Sequence, residues 1–255
     1  MTHEQRPTYR FTDRVDHYVR YRPTYPPALL AWLRASIGFA PEWRVADVGS
    51  GTGIFTRLLL DHGNVVHAIE PNDGMRAAAE AALGSNSNFV SINATAEATT
   101  LPDHSVDLVA TAQAFHWFDP DPTRREFNRI LKPGGWVLIV FNTRRDRESA
   151  FMQAYEDFLH ENAVDYPHVD HRRVDEERLR AFFGDYREWR GQHTRVHDLQ
   201  GVMGLSSSSS YTPAPDHPRH AAFYDSLRRL FAEHQKDGHV EFLYQTEAYL
   251  GRPRA

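Results

Sequence analysis

The chain contains no cysteine. Disulfide staples, thiolate metal sites and a cysteine nucleophile are excluded together. Long apolar runs are lacking too: Trp136-Val-Leu-Ile-Val-Phe141 has strand length, far short of the about 20 residues that a membrane-spanning helix needs. Neither sign of charge dominates. With 29 Lys and Arg against 34 Asp and Glu, the formal charge is −5, and no polycationic surface points to nucleic acid or an anionic membrane. The first residues, Met-Thr-His-Glu-Gln-Arg-Pro, have no apolar segment of the signal-peptide kind, so a cytoplasmic protein is expected. At 255 residues, one α/β core with an appended lid is expected rather than two independent domains.

Histidine is plentiful, with 15 residues, and His168/His171, His193/His197 and His217/His220 have spacings that chelate a metal on a helix. No carboxylate completes a recognised metal motif beside any of them, so surface histidines and no metal site are expected.

The most informative stretch is Val45-Ala-Asp-Val-Gly-Ser-Gly-Thr-Gly53, followed by the apolar run Val65-Val-His-Ala-Ile69 and Glu70. A short buried strand enters a glycine turn, a helix starts, and a second strand ends on a carboxylate. Open α/β sheets bind nucleosides in this way. Gly49, Gly51 and Gly53 let the backbone turn tightly and let a ligand approach without a Cβ clash, with Ser50 and Thr52 between them. Glu70 can accept hydrogen bonds from both ribose hydroxyls. The pattern is GxGxG, whereas GxGxxG would place a pyrophosphate at the helix start, so a nucleoside without an obligatory diphosphate is indicated. Asp47 is expected to be structural or to act from behind the site, its carboxylate orienting backbone amides of the loop.

Asp47-Val-Gly-Ser-Gly-Thr-Gly53 resembles the first motif of the class I S-adenosylmethionine-dependent methyltransferases. Ala94-Thr-Ala-Glu-Ala-Thr-Thr-Leu-Pro-Asp103 resembles their adenine-side loop, Ser105-Val-Asp-Leu-Val109 their fourth strand, and Arg129-Ile-Leu-Lys-Pro-Gly-Gly135 their turn into strand five. The resemblance covers residues 40–141 and is greatest to the subgroup containing the ubiquinone/menaquinone and trans-aconitate methyltransferases. It implies a Rossmann-like, doubly wound, mostly parallel seven-stranded sheet with an antiparallel last strand and a helical lid insertion. It also implies S-adenosyl-L-methionine as cofactor, S-adenosyl-L-homocysteine as product and a small-molecule acceptor. The chain should divide into an N-terminal lid and helix (1–40), a cofactor-binding core (41–141), a helical insertion (142–185), and C-terminal strands with a serine-rich lid segment and helix (186–255).

Along the chain, Leu29, Leu33 and Ile37 predict a helix after Pro27. Apolar runs predict strands over 45–48, 65–69, 89–92, 106–111 and 136–141, separated by helices over 54–61 and 72–83 and by one capped at Asp121 with Pro122 in its first position. Beyond Phe141 the alternation stops. Helical stripes follow at Phe151/Tyr155/Phe158/Leu159, at Leu179/Phe182/Phe183 (capped by Asp175), and at Phe223/Leu227/Leu230/Phe231, with strands over 186–196 and 240–250. The helices of 146–185 are expected over the carboxyl ends of the strands.

For the cofactor, Pro71, Asn72 and Met75 should line the adenine side, where a thioether suits a planar base. Ala96 and Glu97 should meet the adenine edge, and Gln113 and Ala114 the methionine amino group, while Tyr18 is a candidate for the methionine carboxylate. For the acceptor, His116 and Trp117 stand where the resemblance puts the sulfonium; His116 is either a lining residue or a general base. Arg22 and Tyr25 in the segment Tyr18–Pro26, Arg144 beyond strand five, and Ser209 and Tyr211 in the serine run complete the candidates. The serine run reads equally as a flexible linker or as a lid contact. Two rival functions remain: a cofactor-binding protein with other chemistry, and a nicotinamide-dependent oxidoreductase, which would want GxGxxG. Oligomeric state is not indicated.

Overall fold

The computed structural model describes residues 21–164, 166 and 176–254. Tyr18, His168, His171 and Asp175 lie outside the described residues. In chain order the elements are α1 (Ala28–Ile37), β1 (Arg44–Val48), α2 (Ile54–Asp61), β2 (Val65–Ile69), α3 (Asp73–Leu83), β3 (Phe89–Ile92), β4 (Val106–Ala112), a 3-10 turn (Phe115–Trp117), α4 (Pro120–Ile130), β5 (Leu131–Arg144), α5 (Ala150–Asn162), α6 (Glu176–Phe183), β6 (Tyr186–His197), α7 (Leu199–Ser207), α8 (His220–His234) and β7 (Val240–Gly251).

The strands form a seven-stranded sheet in the order β3-β2-β1-β4-β5-β7-β6. Pairing is parallel from β3 through β5, and β7 runs antiparallel to both of its neighbours. This is the expected Rossmann-like doubly wound sheet with an antiparallel last strand. The winding reverses between β1 and β4, and the crevice outside their carboxyl ends is where such sheets bind ligands.

The pleat divides the core. Ala46, Val48, Ile69, Val109 and Ile139 pack on one face with Phe127 and Ile130 of α4 and Leu179, Phe182 and Phe183 of α6. Val45, Val66, Leu108 and Val140 pack on the other with Leu29 and Leu33 of α1 and Phe55 and Leu59 of α2. A third cluster joins α5, α7 and α8 through Phe151, Tyr155, Val202, Phe223 and Leu227 to Phe242 and Tyr244 of β7. The two helices of 146–185 therefore part company, α5 packing with α7 and α8 and α6 on the sheet.

Four local expectations are corrected. The fourth helix starts at Pro120 with Asp119 in the cap position, two residues ahead of the predicted Asp121/Pro122 start. Asp-Pro occurs twice in succession here, and Pro122 is harmless in the first turn because its missing N–H would have had no helical partner. β5 outruns the predicted 136–141 because the polar residues Asn142, Thr143 and Arg144 still pair with Thr246, Gln245 and Tyr244. The serine run is no linker: Ser206, Ser208 and Ser209 are buried, and the helix runs to Ser207. Their hydroxyls are absorbed locally, Ser208 Oγ by the Leu205 carbonyl at 2.6 Å and Ser206 Oγ by Tyr155 at 3.0 Å. His193 and His197 are not surface helix residues; they lie on β6, with His197 buried and His193 stacked on Tyr244. Burial, then Arg195, lowers both of their pKa values.

Candidate functional site

The carboxyl ends of β1, β2 and β4 surround a cavity of about 280 Å³. Gly49 and Gly51 come from the turn after β1; Glu70, Pro71, Asn72 and Met75 follow β2; Thr95, Ala96 and Glu97 follow β3; and Ala112, Gln113, Ala114, Trp117 and Phe118 follow β4. Most of the sequence candidates for the nucleoside thus converge on one space, just below the about 300–1,000 Å³ usual for ligand pockets. Ser50, Thr52 and Gly53 belong to the same turn but do not line the cavity.

The turn takes its shape from close contacts. Gly49 has φ +70°, and a Cβ there would lie 2.5 Å from Ala114 Cβ and 3.2 Å from the Phe118 ring. Only glycine fits both the backbone conformation and the approach. Gly49 and Ser50 donate backbone N–H groups to the Ile69 carbonyl at 2.9 and 3.1 Å, tying the turn to β2.

Glu70 is the anchor of the crevice. One carboxylate oxygen accepts the Gly51 N–H at 2.9 Å and the other the Asn72 N–H at 2.8 Å. A carboxylate has about four lone-pair sites, so capacity remains for two ribose hydroxyls. Burial raises the Glu70 pKa, against those two backbone hydrogen bonds and Arg76, which lower it. Asn72 also caps α3, its Oδ1 accepting from Met75 N at 2.9 Å.

Asp47 does not orient the loop amides as expected. It is completely buried, and its Oδ2 accepts the Thr56 hydroxyl at 2.6 Å from the first turn of α2. Its Oδ1 and the hydroxyls of Ser50 and Thr52 are buried without a hydrogen-bond partner. Burial pushes the Asp47 pKa up to about 7, the Thr56 hydrogen bond opposing and the Glu70 charge adding to the rise. Unpartnered polar atoms at a glycine turn, a ribose-competent acid and a recess for a planar base fit a cationic nucleoside.

On the β4 side, Gln113 holds φ +59°, uncommon for a non-glycine residue and of the kind that collects at functional sites. β5 fixes it: its N–H donates to the Val140 carbonyl at 2.9 Å, and its side chain to the Asn142 carbonyl at 2.8 Å. The Ala114 carbonyl accepts from Trp117 N at 2.9 Å, closing the 3-10 turn. His116 tilts between Trp117 and Phe141, at centroid distances of 4.7 and 6.2 Å, and does not line the cavity. Arg178 of α6, a residue the sequence reading missed, braces this turn by donating to the carbonyls of Phe115 (3.1 Å) and Phe118 (2.6 Å).

The acceptor candidates divide. Arg144 stands two residues beyond Asn142, roughly 7 Å along the strand. It donates to the hydroxyls of Tyr211 at 3.1 Å and Tyr166 at 2.7 Å, and lies 3.6 Å from Glu156, whose carboxylate accepts the Tyr166 hydroxyl at 2.8 Å. Burial opposes the Arg144 charge, but Tyr211, Tyr166, Tyr155 and Glu156 hold its pKa well above the usual value. For Tyr211, burial works upward and is overcome by Arg144 and Arg22, leaving the pKa below normal. Burial raises Tyr244 to about 12. Arg22 reaches the Ser208 carbonyl at 3.0 Å, Ser209 is buried with its hydroxyl 3.4 Å from the Leu205 carbonyl, and Tyr25 packs edge-on against Phe55 at 5.0 Å. Of this group the sequence had singled out Arg144 and Tyr211; Tyr166 and Glu156 carried no signal, and Tyr155 only that of a helical stripe. Among the described residues no group of three or more His, Asp or Glu is arranged to hold a metal ion, and no helix is long and apolar enough to cross a membrane.

Residues 46–139 match the family model described as a methyltransferase domain. An uncharacterized methyltransferase of Mycobacterium tuberculosis (strain H37Rv) is 42% identical over 137 residues, covering 54% of this chain and 54% of the relative. The ubiquinone/menaquinone biosynthesis C-methyltransferase of Shewanella oneidensis is 36% identical over 120 residues, covering 43% and 47%. The match thus spans about half the length of these curated relatives. A solved structure from Anaeromyxobacter dehalogenans, provisionally a type II methyltransferase, superposes with a TM-score of 0.63 at 22% identity, covering 91% of this chain and 98% of its own. That last likeness is one of fold.

Proposed function

We propose, from the premise that residues 46–139 are a class I S-adenosylmethionine-dependent methyltransferase domain, that the protein methylates a small-molecule acceptor at oxygen or carbon. The observation that carries this reading is Glu70, whose two oxygens are braced by Gly51 and Asn72 at the end of β2, beside the strand-order reversal, with acceptor capacity to spare. When bound, S-adenosylmethionine supplies an electrophilic methyl on a positively charged sulfur, a group already set to leave. The protein's work is then alignment and exclusion of water.

Glu70 holds the ribose, Met75 and Ala96 flank the base, and Glu97 meets its amino edge. Gln113 and Ala114 face the methionine end, and the Trp117 and Phe118 rings present π faces attractive to a sulfonium. The acceptor approaches from the β5 side, its oxygen-bearing end directed to Arg144, Tyr211 and Arg22. The nucleophile attacks in line with the S–CH3 bond, the bonding pair goes to sulfur, and a hydroxyl or carbon acceptor gives up a proton. A carboxylate acceptor needs no base. For other acceptors His116 is the base we propose, beside Trp117 on the rim of the turn.

Glu70→Ala is expected to weaken S-adenosylhomocysteine binding by about 2 kcal/mol, as two hydrogen bonds to a charged group disappear. Calorimetry showing unchanged affinity would remove Glu70 from this role. Stabilisation against heat by NADH and none by S-adenosylhomocysteine would instead favour the oxidoreductase rival. Incubation with methyl-labelled cofactor and a metabolite extract, read by mass spectrometry, identifies the acceptor; no labelled product leaves a cofactor-binding protein with other chemistry. Once an acceptor is known, His116→Ala should slow turnover at nearly unchanged cofactor affinity.

A further inference from the structure

The adenine-side loop, residues 95–103, carries three cavity-lining residues, Thr95, Ala96 and Glu97, yet has little regular structure to hold it. Thr95 and Ala98 form one isolated bridge. Thr100, a β-branched residue, sits at φ +65°, a conformation such side chains resist. A loop of this kind keeps its shape only if its surroundings impose it.

The imposing group is Glu126, buried on the inner side of α4. Its Oε1 accepts both the backbone N–H of Thr99 at 2.7 Å and the Thr99 hydroxyl at 2.6 Å, and Thr99 is itself fully buried. Arg129, one turn along the helix, grips the same carboxylate through Nε at 2.8 Å and Nη2 at 2.7 Å. Its remaining Nη1 extends to Asp103 at 2.6 Å. One carboxylate and one guanidinium thus pin the loop at Thr99 and Asp103, on either side of the strained Thr100 and the buried Leu101. Burial disfavours the Glu126 charge, but Arg129 and Thr99 outweigh it and hold the carboxyl below its usual pKa, so the bracket stays ionised at neutral pH. Two residues before Thr99, the Glu97 carboxylate is fixed from the other direction, its Oε1 accepting the Asp119 N–H at 3.1 Å just ahead of α4.

We propose that Glu126 is a positioning residue for base recognition: by locking Thr99 it sets the Glu97 carboxylate at the place where it accepts from the amino group of the cofactor's purine. Glu126 does not line the cavity and acts through the loop. This inference rests on the S-adenosylmethionine reading of the cavity and goes beyond it, assigning the choice of adenine over a 6-oxopurine to a residue on a helix behind the loop. A carboxylate oxygen held in place attracts the amino group and repels a carbonyl at the same ring position. A carboxylate free to swing does neither well.

The test compares calorimetric binding of S-adenosylhomocysteine and S-inosylhomocysteine, which carry an amino group against a carbonyl at that purine position and, with it, an N1 acceptor against an N1–H donor; the comparison therefore reads the change in preference between wild type and variant. Wild-type protein should prefer the adenine compound. In Glu126→Gln the preference should fall at least about threefold, chiefly through weaker binding of the adenine compound. Thr99→Val, close in shape and lacking only the hydroxyl, should move the same way by a smaller factor and carries the test where Glu126→Gln melts. Glu97→Gln alone should lower the preference more than either variant, because its amide can donate to the carbonyl, and adding Glu126→Gln or Thr99→Val to it should change selectivity little further, since all act through the same side chain. Equal weakening of both compounds, or an unchanged preference in folded variants, overturns the proposal and leaves Glu126 a fold-stabilising residue. Wild-type protein that binds neither compound overturns the cofactor reading itself. Wild-type protein that binds both alike overturns only the assignment of base choice to this bracket.

Discussion

Asp47 and Glu70 are two buried acids side by side at the foot of the glycine turn, and their coupling has a measurable consequence. With its pKa pushed up to about 7 by burial, Asp47 retains a proton over much of the range below neutrality. A raised folded-state pKa means that the unliganded protein binds that proton more tightly than the unfolded chain does, so a cation arriving nearby expels it. Cofactor binding should therefore release protons between about pH 6 and 8 and release few near pH 9, where the site is already ionised. Calorimetry in buffers of different ionisation enthalpy measures this, and Asp47→Asn should reduce the release. Gly49→Ala is expected to cost about 1–3 kcal/mol of stability and most cofactor affinity, because it strains the backbone and drives a methyl into Ala114; thermal melts and S-adenosylhomocysteine titration check it. At this scale the sequence was readable where a residue's job is set by its neighbours in the chain. Gly49, Gly51 and Glu70 announce themselves by spacing. The Thr56 partner of Asp47, the place of Tyr166 and Glu156 beside Arg144, and the brace from Arg178 depend on contacts made by the fold, which a single sequence does not print.

Among the elements, the alternation of strand and helix from β1 to β5 was legible because the central strands β1 and β4 are largely buried and read as near-continuous apolar runs, with the edge strand β3 more exposed. The serine helix α7 was ambiguous for the opposite reason. Serine hydroxyls compete with the backbone and mark turns as readily as helices, and here Tyr155 and nearby carbonyls decide the matter. Ser206→Ala should destabilise the protein by about 1–3 kcal/mol, since the buried Tyr155 hydroxyl loses its partner at 3.0 Å; chemical denaturation reads the change. Phe127→Ala, in α4, should cost about 3–5 kcal/mol, as its ring is fully buried and meets Phe118 and Phe182 at centroid distances of 6.5 and 6.0 Å. The two substitutions act in different clusters, so their costs should add in the double variant.

Across the whole molecule, the sheet that bears the cavity and the α5-α7-α8 cluster have separate apolar centres, the first assigned by the proposed function to the donor and the second to the acceptor side. S-adenosylhomocysteine should therefore slow amide hydrogen exchange most at the ends of β1, β2 and β4 and far less in α8. The later strands were legible as elements but not as a bridge between the two regions. β6 and β7 pair without interruption from Tyr186 opposite Gly251, beside the sheet core, to His197 opposite Val240, beneath the helices. On the proposed reading, that pairing sets how far the acceptor's anchor would stand from the methyl to be moved. Side chains on a pleated ribbon alternate faces, so its length changes tolerably only by even increments. Descendants of this sequence that take longer or shorter acceptors should differ here by two residues per strand, never by one.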